Sequence, residues 1–302
     1  SLLTFMTSMA SFSAPYIFGG GIRVLALQIY NSKLNGDLEM AMVETVVLTT
    51  SSILFLFLLQ KYEATDKYRS VNKGVSPNIL ILKSKAQRTL IACLGISFVT
   101  LLLLPHITLI LISFSQDGTW TTQILPPDYT IENYQRLFND SDFLKPISNS
   151  LKMAILATIA NILFALAAGW LLIQKKLRGR LGLSILTVLP WALPGTVIAL
   201  NLATTFGKND LLEGRILLVG TFWILPLAYF IRHIPLVVRA VQAGLEQLNP
   251  EFHDAARSLG ASWLFTLRRI LLPLLLPSII AGGMLAFVAA LGEFVSSIVI
   301  YT

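Results

Sequence analysis

Residues 254–273 read DAARSLGASWLFTLRRILLP. This polar, basic stretch contains a glycine and lies between two long apolar runs, and its reading decides the fold. Just upstream, Asn249-Pro250-Glu251 has the marks of a helix start. Asn is a good N-cap, Pro suits the first helical position, and an acid complements the positive end of the helix. That helix is expected to run through Ser258 and stop at Gly260, which can adopt the left-handed turn of a helix C-terminus. Ser262 is placed to cap a second short helix leading into Arg268 and Arg269. Those long side chains can snorkel to lipid headgroups where a membrane helix begins. The expected product is helix, glycine turn and helix: a short knuckle projecting from a membrane.

The rest of the chain supplies the membrane part. Of 302 residues, 55% are hydrophobic and 13% charged, against about 25% charged in a soluble domain; mean hydropathy is +0.71. Apolar segments occupy 1–18, 40–60, 89–114, 147–173, 182–206, 214–232 and 270–300. Runs of about 20 residues cross a bilayer as helices, the form in which each segment satisfies its own backbone hydrogen bonds. The fold class expected is an all-α, polytopic transmembrane bundle with about seven membrane helices. Ser1 begins inside an apolar run and Thr302 follows another, so the chain is read as a fragment of a longer protein.

Basic residues give the orientation. Stretches 61–88, 174–181 and 232–269 hold 16 of the 23 Lys and Arg residues and are placed on the cytoplasmic side, with 115–146 outside. This distribution accounts for the net charge of +7 by topology and lipid headgroups, without nucleic acid. Cys93 is the single cysteine, which excludes an internal disulfide and a cysteine-based metal site. His106, His233 and His253 have no metal-ligand spacing; His106 is read as a packed membrane residue, and His233 and His253 as cytoplasmic and unpaired. No metal site is expected.

The 254–273 stretch resembles the cytoplasmic "EAA" loop of the permeases of binding-protein-dependent ABC importers (type I), whose pattern is E-A-A, three residues, G, nine residues, I-x-L-P. Asp254, Ala255, Ala256, Gly260, Ile270, Leu272 and Pro273 occupy those places, with Asp for Glu at 254. Six identities at fixed spacing arise by chance on the order of once per million starts at ordinary residue frequencies, which favours the resemblance over an ordinary amphipathic loop. The resemblance implies that these residues form a coupling loop seated in a groove of an ATPase subunit. Ala255 and Ala256 would permit close approach, Gly260 would set the bend, and Ile270, Leu272 and Pro273 would lock the knuckle to the membrane helix. The element T-x-E-N-Y at 130–134 before Asn149-Ser150-Leu151 is also common in such permeases.

An internal repeat with an offset of 282 aligns Phe5 with Phe287, Ala10 with Gly292 and Phe12 with Phe294. On this reading residues 1–60 are the last two helices of a first permease half. Residues 61–88 are a cytoplasmic linker, and 89–302 are a second half lacking its final helix. The strings SMASFSAPYIFGGG and ALGEFVSSIVIY are most like the fused two-half ferric-iron permeases.

The resemblance implies a bacterial plasma-membrane permease with two separate ABC ATPase subunits and a periplasmic or lipid-anchored solute-binding protein. Its expected cargo is ferric iron, with thiamine, polyamine or phosphonate as alternatives. The chain has no G-x-x-x-x-G-K-[ST] phosphate loop, so it is read as a non-enzyme that binds no cofactor, with ATP on the partner. Glu293, Phe294 and Glu44 are candidates for the pathway or the binding-protein face; Glu293, about 20 residues beyond Pro273, is expected near the outer surface. A gradient-driven secondary transporter is the competing class. It would need intramembrane ionisable residues for a coupling ion, which are few here, and would leave the 254–273 pattern unexplained.

Overall fold

The computed structural model describes residues 11–20, 24–65, 84–120, 122–173, 178–207, 217–248, 256, 258 and 260–301. Helices α1 (Ser13–Phe18), α2 (Leu25–Leu34) and α3 (Leu38–Thr65) come first. They are followed by α4 (Lys85–Ser113), α5 (Glu132–Asn139) and α6 (Ser141–Ile173). Next are α7 (Arg180–Ala192), α8 (Gly195–Thr205) and α9 (Ile224–Gln247). The last are α10 (Trp263–Thr266), α11 (Leu272–Leu291) and α12 (Val295–Tyr301), with a π-turn at Leu267–Leu271 before α11. Among the described residues no strand occurs, and one isolated bridge joins Ser115 to Tyr129. Lys85–Ser113, Ser141–Leu172, Ile224–Gln247 and Leu267–Leu291 are long and apolar enough to cross a membrane. The bent pair α7 and α8 makes a fifth if counted as one span. The fold is all-α and polytopic.

Three expected segments are corrected. The run 182–206, read as one span, is α7 and α8 bent by 106°. Pro194 has no amide hydrogen and drives the residue before it out of the helical region, and Leu193 is extended at φ −93°, ψ 130°. The run 214–232 is redrawn because α9 starts at Ile224 and continues to Gln247. Its later turns bury Val237, Val238, Val241, Gly244 and Leu245 at the i, i+3/i+4 spacing of a one-sided helix, a pattern that an unbroken apolar run does not reveal. Arg232 and His233, assigned above to the cytoplasmic stretch, therefore lie inside a candidate span. The run 270–300 begins in the π-turn and breaks at 292–294. Pro273 has no N–H to give the carbonyl four residues back, and the Leu272 N–H instead bonds the Leu267 carbonyl, five back.

The chain divides into two compact units, Ser1–Lys67 with Ser150–Thr302, and Tyr68–Asn149. In the first unit, one core gathers Phe12, Ile29, Tyr30, Val197, Leu200, Tyr229 and Val299. A second core gathers Ala165, Leu172, Val237, Val241 and Leu275. Helices α9 and α11 pack closely because small residues face each other. A Cβ at Gly282 would stand 2.8 Å from the Ala240 Cβ and 3.2 Å from the Val237 Cα. Gly282→Leu is expected to overpack this seam at a cost of about 1–3 kcal/mol. Thermal unfolding in detergent checks it, and an unchanged midpoint would contradict the packing.

In the second unit α4 is exposed along its apolar length, with Ile96 at 67%, as suits a lipid-facing helix. The T-x-E-N-Y element closes the following loop. Thr130 Oγ1 accepts from the Glu132 N–H at 3.1 Å. The Asn133 amide donates to the Ser113 and Ser115 carbonyls at 3.1 and 2.9 Å.

Candidate functional site

The knuckle is built as its residues dictate where it is described. Gly260 has φ +78°, the left-handed region that glycine enters without steric cost. The Ala261 N–H bonds the Ala256 carbonyl at 3.0 Å, the six-to-one closure of a helix that ends on a left-handed residue. Ser262 Oγ accepts from the Phe265 N–H at 3.3 Å, a cap on α10 as expected. Asp254, Ala255 and the helix start at 249–251 lie outside the described residues. Ala256 is buried and Gly260 exposed. Of the residues expected to anchor the knuckle, Ile270 and Leu272 are half-buried and Pro273 is exposed. Among the described residues from 261 to 273, Thr266 and Leu271 are the buried ones, which the pattern passes over. Pro273 acts through the backbone, by forcing the π-turn.

A second constellation was not foreseen. Glu293, expected near the outer surface, has a side chain only 6% exposed, and its Oε2 lies 2.8 Å from Arg232 Nε. His233 Nε2 is 3.9 Å from the same oxygen. The other carboxylate oxygen accepts from the Ser296 N–H and hydroxyl at 3.1 and 3.0 Å, capping α12. Tyr229 and Ser297 hydroxyls pair at 2.7 Å, a further tie between α9 and α12. Arg232 packs on the α7–α8 break: a Cβ on Gly195 would fall 1.8 Å from its Nη1.

One carboxylate thus joins α9 and α12, and its guanidinium partner rests against the start of α8. A buried ion pair is a poor source of stability, because desolvation offsets its attraction, yet removing one partner is costly. Sequence spacing hid the pair, since its members are 61 residues apart. The one available signal was that both are ionisable groups within or beside apolar runs.

Gly195→Ala is expected to push the guanidinium off Glu293 and to cost about 1–3 kcal/mol. The unfolding midpoint of the purified chain reads it, and no shift would mean that the guanidinium has room elsewhere.

Phe294 follows Glu293 and meets two aromatic residues near the start of the chain. Its ring centroid lies 6.4 Å from Phe12 and 6.0 Å from Tyr16. Phe12 stacks on Tyr16 at 5.4 Å and meets Tyr30 edge-on at 5.6 Å. Phe12 and Phe294 are the pair aligned by the offset of 282. The same offset carries Ser13, the first residue of α1, to Val295, the first of α12. Phe5 and Ala10 lie outside the described residues. Glu44 sits apart from Glu293 and accepts from the Ser32 hydroxyl at 3.0 Å, joining α3 to α2. Lys33 Nζ donates to the Val299 carbonyl, and burial pushes this ammonium down from its usual value.

Comparison with known proteins places these features. The probable ABC transporter permease protein y4fN of Sinorhizobium fredii is 28% identical over 100% of this chain and 53% of its own length. The ferric transport system permease protein FbpB of Actinobacillus pleuropneumoniae is 30% identical over 96% of this chain and 42% of its own. The sulfate transport system permease protein CysT of Salmonella typhimurium is 40% identical over 48% of this chain and 54% of its own. The chain therefore spans about half the length of the curated relatives it matches. Residues 161–302 match the family model described as the binding-protein-dependent transport system inner membrane component. That match takes in the knuckle, the α7–α8 break and the Arg232–Glu293 pair, so residues 161–302 are similar to the binding-protein-dependent transport inner membrane components.

Proposed function

We propose that the full-length protein forms the membrane pathway of an ATP-driven importer and hydrolyses nothing itself. The observation that carries this reading is the glycine-turned knuckle at 256–266, closed by the Ala261–Ala256 bond and leading directly into a candidate span. A short helical projection fixed to a membrane helix is a mechanical handle. Two ATPase subunits, one per half, would grip such handles, and closure around ATP would rock the helices between inward- and outward-facing states. Basic residues near the knuckle, among them Arg257, Arg268 and Arg269, favour a cytoplasmic placement in a bacterial plasma membrane. Arg232 and Arg239 leave that tally because they lie within α9. The 115–146 loop is then external, where a periplasmic or lipid-anchored binding protein would deliver cargo.

Ferric iron is the favoured cargo, supported by a likeness to a ferric permease that runs along 96% of this chain. Sulfate is a second reading, supported by the higher identity to a sulfate permease over 48% of this chain. The test is ATPase activity of the full-length protein reconstituted with its ATPase and binding protein, comparing empty binding protein with protein loaded with ferric iron, sulfate, thiamine, spermidine or phosphonate. Stimulation by the ferric-loaded form alone is expected. Stimulation by another ligand alone would overturn the iron assignment and leave the importer reading in place. No stimulation by any of them, in an assembled complex, would contradict the importer reading itself.

A further inference from the structure

Glu293 and Phe294 sit in the three-residue break between α11 and α12, and their side chains go to different partners. Glu293 goes to Arg232 on α9, and through it to the Gly195 backbone at the bent α7–α8 pair. Phe294 goes to Phe12 and Tyr16, which the internal repeat places in the other half. Phe12 and Phe294 are repeat-equivalent, so their contact lies where two like segments face each other. Phe294 and Tyr16 remain 40% and 43% exposed while Phe12 is 1% exposed, so the cluster forms one edge of that meeting point. A charged pair in such an apolar setting is expensive, and α12 needs no guanidinium to be capped. Glu293 and Phe294 are adjacent in the break, so the ion pair and the ring contact share one short segment.

We propose that Glu293 is a positioning residue, and that its pairing with Arg232 keeps the Phe12–Tyr16–Phe294 cluster closed as a gate between the two repeats. Releasing the pair lets the 292–294 break swing and the aromatic rings part. The proposal rests on the importer reading only for what drives the release; the closed geometry stands without it.

The experiment is a disulfide trap in the full-length protein, assembled with its ATPase in nanodiscs. Cys93→Ser removes the native thiol, and Phe12→Cys with Phe294→Cys reports the closed gate as oxidised cross-link. Nucleotide-free protein is expected to cross-link readily, and Glu293→Gln, which can still cap α12, is expected to lower that yield roughly fivefold, the low end of typical coupling effects. Equal yields with and without Glu293→Gln would overturn the proposal. Should Glu293→Gln fail to assemble, Arg232→Lys keeps the charge, loses the forked geometry and serves the same comparison, with the same outcomes. Trapping with ATP and vanadate is expected to lower the yield of the parent in the same way. If the ATPase shows ligand stimulation while the yield ignores nucleotide, the gate is wrong and the importer reading stands. If stimulation is absent but Glu293→Gln still lowers the yield, the importer reading is wrong and the positioning role of Glu293 stands.

Discussion

Replacing Glu293 with alanine is expected to destabilise the protein by about 3–5 kcal/mol, the usual consequence of stranding one member of a buried pair. The loss has two sources. Arg232, its side chain 23% exposed, is left charged without its acid, with its Nη1 already buried and without a hydrogen-bond partner. The Ser296 N–H and hydroxyl lose the acceptor that caps α12. Against a typical stability of about 5–15 kcal/mol, this is enough to reduce the folded yield in detergent. The double variant Glu293→Gln with Arg232→Met removes both charges and is expected to recover most of the loss, since a neutral pair of similar volume carries no desolvation penalty. Thermal unfolding of the three proteins checks this. A Glu293→Ala loss below about 1 kcal/mol, the level of a surface pair, would show that water reaches the site.

Gly260→Trp is expected to abolish transport while the protein still inserts and assembles. Among the described residues nothing stands within 4 Å of a Cβ at Gly260, so the first atom of the new side chain meets no clash there. Two effects act instead. A left-handed φ costs an L-residue about 1–2 kcal/mol, which strains the turn. The indole also projects from the exposed knuckle into the space proposed for the ATPase groove. Lost coupling of about 1–3 kcal/mol corresponds to roughly a 5- to 150-fold fall in ligand-stimulated activity. Gly260→Asn, which tolerates this backbone and is small, is expected to retain most activity. Paired rates of stimulated ATPase and uptake measure both variants, and wild-type transport by Gly260→Trp would remove the knuckle from the coupling path.

The knuckle was legible because it is local. Gly260 acts through its own φ, and the Ala261–Ala256 and Phe265–Ser262 bonds span five and three positions, so turn and cap chemistry are written in short strings. The spans were legible as apolar runs, but not their breaks. Pro194 was visible, yet a proline inside an apolar run fits both a kinked span and two helices, and the 106° bend depends on what α8 packs against. The Arg232–Glu293 pair was illegible for a different reason. Arg232 ends an apolar run and so imitates a loop residue, and its partner is 61 positions away. Positive charge in a loop orients a membrane protein, whereas the same charge turned inward needs an acid, and spacing alone does not distinguish the two. The Phe12–Phe294 contact lay between these cases: the repeat named the pair, and the fold brought the rings together.

The central proposal is that the full-length protein moves solute at the expense of ATP hydrolysed by a docked partner. Uptake into proteoliposomes containing the full-length protein, its ATPase and an external ligand-loaded binding protein tests it most directly, with ATP inside and the proton gradient varied independently. The account predicts uptake that requires internal ATP and persists when the gradient is collapsed. Uptake driven by the gradient without ATP or the ATPase subunits would contradict it.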